Sequence, residues 1–249
     1  MSDAPRDLGD YAEEYGRSPF EPIQVGFRRR RVLSRVAARA PRRLLEIGCG
    51  QEPLFLDLPE LACTVIEPTP AFAEHARRLG EGRPQVTVVQ GPAEDVRPDD
   101  VGGPFDMVVL SGLLHEVPDP ELLLGSARTL CAPNGVLHVN VPSAHSLHRL
   151  LAVAMGLIPH PAAESANQRR LQQHRIYDAG SLERALTAAG FTVRERGSIL
   201  VKPFTHAQMQ RLVDDGFLTP ELLDGLDRLT EQLPELGSEI WMDAEPRRD

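Results

Sequence analysis

The stretch LLEIGCGQEP, from Leu44 to Pro53, decides the fold: an apolar run ends in Glu46-Ile47-Gly48-Cys49-Gly50, and a polar turn follows. A short apolar run that stops at closely spaced glycines is typical of a buried strand leading into a tight turn. Since glycine has no Cβ, a ligand can lie directly against the backbone at Gly48 and Gly50. We therefore predict a strand followed by a ligand-binding turn, with a turn that binds nothing as the simpler alternative.

The glycine spacing is not that of the dinucleotide fingerprint. That pattern, G-x-G-x-x-G, requires a sixth-position glycine, where this chain has Pro53. A nicotinamide-dependent oxidoreductase on a similar fold stays an alternative, and Pro53 disfavours it.

Three further segments follow at the spacing of alternating strands and helices. CTVIEPTP, from Cys63 to Pro70, ends its apolar run at Glu67, where a Rossmann-like unit places the acid that hydrogen-bonds ribose hydroxyls. QVTVVQGPAEDV, from Gln85 to Val96, predicts a third strand and loop. FDMVVLSGLLHEVPDP, from Phe105 to Pro120, predicts a fourth strand and its loop.

Together these segments resemble the class I S-adenosylmethionine-dependent methyltransferases. Glu46-Ile47-Gly48-Cys49-Gly50 matches their E/D-x-G-x-G motif, the segment around Ala93 is similar to "GDAED", and the end of the fourth segment is similar to "H-x-x-DP". The chain departs from the pattern at Pro92, where the family often has aspartate, which leaves the carboxylate that meets adenine open between Glu94 and Asp95.

The resemblance implies that S-adenosylmethionine is the cofactor and that loops after the first four strands bind it. Carried over to this chain, the cofactor-binding residues are Glu46, Gly48, Cys49, Gly50, Glu67, Pro68, Ala93, Glu94, Ser111 and Gly112, with Tyr15 from the N-terminal region.

The alternation of strand and helix predicts an α/β fold: a Rossmann-like seven-stranded, mostly parallel sheet with helices on both faces. We expect an N-terminal helical cap at residues 1–42 and a methyltransferase domain at 43–246. Within that domain, an acceptor lid at 143–178 follows strand five, and a helical insertion at 205–235 precedes a final antiparallel strand. The lid is predicted because the chain leaves strand five on the cofactor side of the sheet.

The N-terminal cap contains the basic run Arg28 to Arg31 on a helix predicted over Asp10 to Ala40, with breaks at Pro19 and Pro22. Such a run is typical of a solvated helix face. The family resemblance offers a second interpretation, in which one of these arginines, with Tyr11 or Tyr15, meets the methionyl carboxylate of the cofactor.

Histidine is the natural candidate for a general base, because its unperturbed pKa lies near neutrality. We predict His145, His174 and His115 as catalytic candidates, with a purely structural role as the alternative for each. No recognised ligand spacing accompanies these histidines, so we predict no metal site.

Composition narrows the partners. The formal net charge of -9 argues against a nucleic-acid or anionic membrane surface, and three cysteines without a C-x-x-C pair suggest reduced thiols in a cytoplasmic protein. We expect no membrane span, and a monomer or homodimer that methylates an oxygen or nitrogen of a small molecule in biosynthesis or tailoring of a metabolite. A methyltransferase-like scaffold subunit without catalysis is a third alternative.

Overall fold

The computed structural model describes residues 19–163 and 175–247, which form a seven-stranded sheet with helices packed on it. The strands are β1 Arg43–Ile47, β2 Ala62–Glu67, β3 Val86–Gln90, β4 Phe105–Ser111, β5 Cys131–Pro142, β6 Phe191–Ile199 and β7 Glu239–Pro246. Their order is β3-β2-β1-β4-β5-β7-β6. Neighbours from β3 to β5 pair in parallel, and β7 runs antiparallel to both β5 and β6. The predicted mostly parallel Rossmann-like sheet is confirmed.

Of the helices that the structure describes, the first precedes β1 and the others lie between successive strands along the chain. They are α1 Glu21–Arg39, α2 Pro70–Leu79, α3 Pro120–Leu130, α4 Leu147–Ala154, α5 Ala179–Ala188, α6 His206–Asp214 and α7 Pro220–Arg228.

Successive side chains of β1 and β4 belong alternately to two hydrophobic clusters. Leu45 of β1 and Val108 of β4 are completely buried in the cluster that contains residues of α3 and α5. Their neighbours Leu44 and Met107 are completely buried in the cluster that contains residues of α1 and α2. Because successive residues of a strand point to opposite faces, helices cover both faces of the sheet, as predicted.

Helix α1 begins with a proline in its first turn. Pro22 does not break the helix, because a backbone N–H is not needed for helical hydrogen bonding at that position. The preceding part of the predicted helix lies outside the described residues. The division of the chain into a cap at residues 1–42 and a methyltransferase domain stays a prediction. Within residues 1–42, α1 buries Val32 and Val36 against the sheet.

Two local predictions need correction. The helix expected near Leu54 to Leu58 is a 3-10 turn over Leu54–Leu56. Pro53 precedes this turn, and the Leu54 amide donates a hydrogen bond to the Glu46 carboxylate. The amphipathic helix expected over Leu147 to Leu157 is α4, which ends at Ala154 with a turn that includes Gly156 at φ 69°.

Candidate cofactor site

A cavity of about 650 Å³ opens at the carboxyl ends of β1, β2 and β4. The sheet order changes direction between β1 and β4, and ligands of open α/β sheets bind at such a switch point. The cavity wall contains every predicted cofactor residue in the described part of the chain: Glu46, Gly48, Cys49, Gly50, Glu67, Pro68, Ala93, Glu94, Ser111 and Gly112.

The turn after β1 has left-handed backbone conformations at its glycines. Gly48 has φ 76° and Gly50 has φ 55°, a region that costs other residues about 1–2 kcal/mol each. A Cβ on Gly50 would meet no protein atom within 4 Å, so the space in front of it is open to a ligand. A Cβ on Gly48 would lie 3.1 Å from the Leu113 side chain. The open space therefore allows a ligand to approach Gly50 closely, whereas Gly48 is packed against the Leu113 side chain.

Glu67 joins the ends of β1 and β2. Its side chain is buried, and Oε2 accepts hydrogen bonds from the amides of Cys49 at 3.0 Å and Gly50 at 3.3 Å. Its other oxygen, Oε1, accepts from the Thr69 amide at 2.8 Å. A carboxylate offers about four acceptor positions, so Glu67 holds the turn and retains acceptor capacity for a ligand hydroxyl.

Glu46 is a buried carboxyl group on the cavity wall. Burial raises its pKa to about 8, because the surroundings disfavour the charged form. The hydrogen bond from the Leu54 amide, at 2.8 Å, and the positive charge of Arg29 act in the opposite direction, while Glu67 adds to the increase. Glu46 is thus largely protonated at neutral pH.

Two members of the arginine run reach the cavity wall, Arg28 and Arg29. Arg28 pairs with the buried Glu239, and Arg29 pairs with Asp57. The other two point elsewhere: Arg30 pairs with Asp224 of α7, and the Arg31 guanidinium lies 5.7 Å from the centre of the Trp241 ring. Arg28 and Arg29 are therefore the two arginines of the run that lie beside the cavity.

The wall of the cavity is acidic. Among the described residues the wall has seven carboxyl groups, of which Glu46 is largely protonated, and two guanidinium groups, which are both paired with carboxylates. Those carboxyl groups belong to Glu21, Glu46, Glu52, Glu67, Glu94, Glu116 and Asp119. An excess of carboxyl groups favours a ligand with positive charge over a polyanion.

The predicted catalytic histidines are not brought together at the cavity. His115 is buried 3.5 Å from Glu116, and Glu116 rather than His115 lines the wall. His145 is exposed at the start of the predicted lid, where its amide donates to Ser143 Oγ, and it too is absent from the described lining. His174 and the cofactor candidate Tyr15 lie outside the described residues, as does Tyr11.

The cysteines have no activated thiol. Burial raises the pKa of Cys49 far above its ordinary value and raises those of Cys63 and Cys131 to about 12, so all three stay protonated. Within residues 19–163 and 175–247, no three His, Cys, Asp or Glu side chains are grouped as metal ligands would be. Nor is any helix of that part long and apolar enough to cross a bilayer.

Some residues of the site carried no signal in the sequence motifs. Glu21 and Val25 line the cavity from α1, Leu113 lies against Gly48, and Glu239 holds Arg28 from β7. A helical period in α1 predicts which residues share a face, but the rotation of that face toward the cavity depends on the sheet beneath it.

The sheet order and a cavity at its switch point define the architecture of class I methyltransferases. A family profile described as a methyltransferase domain matches residues 25–196, more than half of the chain. The protein belongs to the S-adenosylmethionine-dependent methyltransferase family.

Curated relatives include trans-aconitate 2-methyltransferase of Methylobacterium nodulans, 30% identical over 171 residues that cover 65% of this chain and 62% of that protein. The enzyme of the same name from Rhodococcus jostii is 30% identical over 130 residues, 49% of this chain and 48% of that protein. The chain therefore matches at most 62% of the length of these curated relatives.

Solved structures share the fold. A methyltransferase of Thermotoga maritima, described as a possible histamine N-methyltransferase, has a TM-score of 0.61 at 19% identity and covers 96% of this chain and 99% of its own. The N-methyltransferase NodS of Bradyrhizobium japonicum, solved with S-adenosylhomocysteine, has a TM-score of 0.58 at 14% identity and covers 98% and 100%. Identities this low establish the architecture alone.

Proposed function

We propose that this protein transfers the methyl group of S-adenosylmethionine to an oxygen or nitrogen of a small-molecule acceptor. One observation carries the proposal: the ten predicted cofactor residues in the described chain line a single cavity at the switch point of the sheet. Such convergence from four separate loops is what a bound cofactor requires, and a tight turn without a ligand does not require it.

The reaction asks the protein mainly for alignment. S-adenosylmethionine brings both the electrophilic methyl group and the positive sulfur, so the protein must hold the acceptor atom, the methyl group and the sulfur in line. In our proposal the turn at Gly48 and Gly50 holds the methionyl part and Glu67 holds the ribose. The backbone near Ala93, with Glu94, holds adenine.

Electrostatics favours this cofactor over a nicotinamide dinucleotide. A dinucleotide brings an anionic pyrophosphate, which dinucleotide-binding folds place on a glycine-rich turn at a helix N-terminus. Here the turn after β1 leads into the 3-10 segment Leu54–Leu56, and the surrounding wall carries seven carboxyl groups. S-adenosylmethionine has a sulfonium and an ammonium against one carboxylate, which suits an acidic cavity.

For the acceptor, the named curated relatives suggest an organic acid as the first compound to test. The acidic wall instead favours a neutral or cationic acceptor in the described part of the cavity. We propose a role in biosynthesis or tailoring of a metabolite, with the predicted lid at 143–178 determining which acceptor fits. In this proposal the candidate base is a histidine of that lid, His145 or His174.

Calorimetric titration with S-adenosylhomocysteine and with NAD tests the proposal against its alternatives. We expect binding of the first compound and none of the second, and the reverse result would favour an oxidoreductase. Methyl transfer from labelled S-adenosylmethionine should then be measured with trans-aconitate, a neutral alcohol and a primary amine. Binding without transfer to any acceptor in a broad panel would support the scaffold alternative.

A further inference from the structure

The buried carboxylate of Glu239 binds the guanidinium of Arg28, which lies 211 positions earlier in the chain. Glu239 is the first residue of β7 and is completely buried. Arg28 Nε lies 3.0 Å from Oε1 and 2.9 Å from Oε2, and Nη2 lies 2.7 Å from Oε1. These contacts fix both the position and the plane of the guanidinium.

Two neutral side chains complete the coordination of Glu239. Gln24, one turn before Arg28 on α1, donates to Oε1 at 2.9 Å, and Asn140 of β5 donates to Oε2 at 2.9 Å. Burial by itself would raise the pKa of Glu239, but the charge and hydrogen bonds of Arg28, together with Gln24 and Asn140, lower it. Glu239 is therefore a charged anchor whose partners come from two other elements.

The Arg28 guanidinium also belongs to the cavity wall, where its Nη2 lies 3.3 Å from Oε1 of Glu21, another residue of that wall. Arg28 lines the wall beside Gly112, where a Cβ would stand 3.4 Å from Nη1. Gly112 has φ 68°, and the absence of a side chain there leaves the guanidinium close to the backbone after β4. Arg28 is thus a cation fixed in direction, next to the loop that we assign to the methionyl part of the cofactor.

We infer that Glu239 is a positioning residue, which holds Arg28 so that its guanidinium receives the methionyl carboxylate of S-adenosylmethionine. The inference rests on the proposed function, since it assumes that this cofactor occupies the cavity. The carboxylate is the one anionic group of the cofactor, and a planar guanidinium matches it geometrically. An arginine side chain loses rotamer entropy when it is ordered, and Glu239 removes that cost from the binding step.

The test compares two ligands that differ in the carboxylate. S-adenosylhomocysteine carries the amino-acid part, and 5′-methylthioadenosine lacks it. We expect Glu239→Gln to weaken S-adenosylhomocysteine about 5- to 30-fold, the loss of one charge-assisted contact, and to leave methylthioadenosine unchanged. A merely structural role would weaken both ligands alike.

Asp243→Asn is the matched control. Asp243 is a buried acid of the same strand, 2.9 Å from Arg35 of the same helix and 2.7 Å from His138, and it does not line the cavity. We expect this variant to keep both affinities. In Arg28→Gln the affinity for S-adenosylhomocysteine should fall at least as far as in Glu239→Gln, and adding Glu239→Gln to it should cause no further loss.

Three results would overturn the inference: unchanged S-adenosylhomocysteine affinity in Glu239→Gln, equal losses for both ligands, or additive losses in the double variant. If Glu239→Gln does not fold, Asn140→Ala removes one donor from Glu239 and keeps its charge, and the same selective loss is expected at smaller size. Equal losses in Asn140→Ala would count against the inference. If the unmodified protein binds neither ligand, the proposed function itself fails, which is a separate outcome.

Discussion

The carboxylate of Glu67 accepts a 3.0 Å hydrogen bond from the amide of Cys49, which ties the end of β2 to the turn after β1. The acid assigned to the ribose therefore also shapes the turn assigned to the methionyl part. A change at one half of the cofactor site is expected to be felt at the other half.

Removal of the Glu67 side chain should weaken the cofactor. Glu67→Ala loses the acceptor for a ribose hydroxyl and leaves the amides of Cys49, Gly50 and Thr69 without their bond. We expect a loss of about 1–3 kcal/mol of S-adenosylhomocysteine binding, measured by calorimetry. Glu74→Ala, at an exposed acid on α2, is the control and should bind normally. Unchanged binding in Glu67→Ala would refute the assignment.

A side chain at residue 50 should block the cofactor without unfolding the protein. Gly50→Val fills open space in front of the turn, where no protein atom lies within 4 Å. We expect no detectable binding of S-adenosylhomocysteine and a melting curve that stays cooperative. Gly216→Val is a strain-matched control, because Gly216 has φ 71°, is equally open and lies outside the cavity wall. Normal binding in Gly50→Val would contradict our interpretation of the turn.

The raised pKa of Glu46 predicts that cofactor affinity depends on pH. Glu46 is protonated below about pH 8 and ionised above it, and a negative charge favours a cationic ligand in the same cavity. Affinity for S-adenosylmethionine should therefore rise between pH 6.5 and roughly 8.5, where the carboxyl group ionises. Glu46→Gln should remove this rise in affinity. Equal pH profiles of affinity for the unmodified protein and Glu46→Gln would contradict the prediction.

The same residue should lower stability as pH rises. The pKa of Glu46 is raised in the folded chain from 4.5 to about 8, so the unfolded chain releases this proton first. The contribution of the Glu46 proton to the free energy of unfolding is therefore fully present below about pH 4.5 and is lost by about pH 8. We expect the free energy of unfolding of the unmodified protein to fall relative to Glu46→Gln between pH 5 and pH 8, measured with urea. A constant difference would show that Glu46 is not protonated in the fold.

Turnover measurements decide between alignment and base catalysis. Because His145 is exposed and outside the described cavity wall, we expect His145→Ala to keep nearly full turnover with an assigned acceptor. A drop of about 100-fold or more, with unchanged S-adenosylhomocysteine affinity, would restore His145 as a general base. His115→Ala and His174→Ala, measured in parallel, test the other two candidates.

The elements that carry a local signal were predictable. Glu46, Gly48 and Gly50 follow an apolar run, and Glu67 ends the next one, so strand period and spacing were enough to place them at one sheet edge. Residues such as Ser111 and Ala93 follow from the same rule, because parallel strands end at the same edge.

Pairs that are distant along the chain were not predictable. Arg28 and Glu239 are separated by 211 positions, and nothing in either neighbourhood names the other. The choice among four consecutive arginines depends on the rotation of α1 over the sheet, which tertiary packing sets. His115 showed the reverse problem: the sequence made it a catalytic candidate, whereas its neighbour Glu116 is the residue that lines the wall.

β7 connects β6 to the rest of the sheet. β7 lies between β5 and β6, and β6 has no other partner strand in the described sheet. During synthesis, β6 therefore leaves the ribosome with neither of its edges paired, and Arg28 leaves long before Glu239. Both are completed by the same short C-terminal segment, so a chain that stops before residue 239 would lack a sheet partner and an anchor for Arg28 at once.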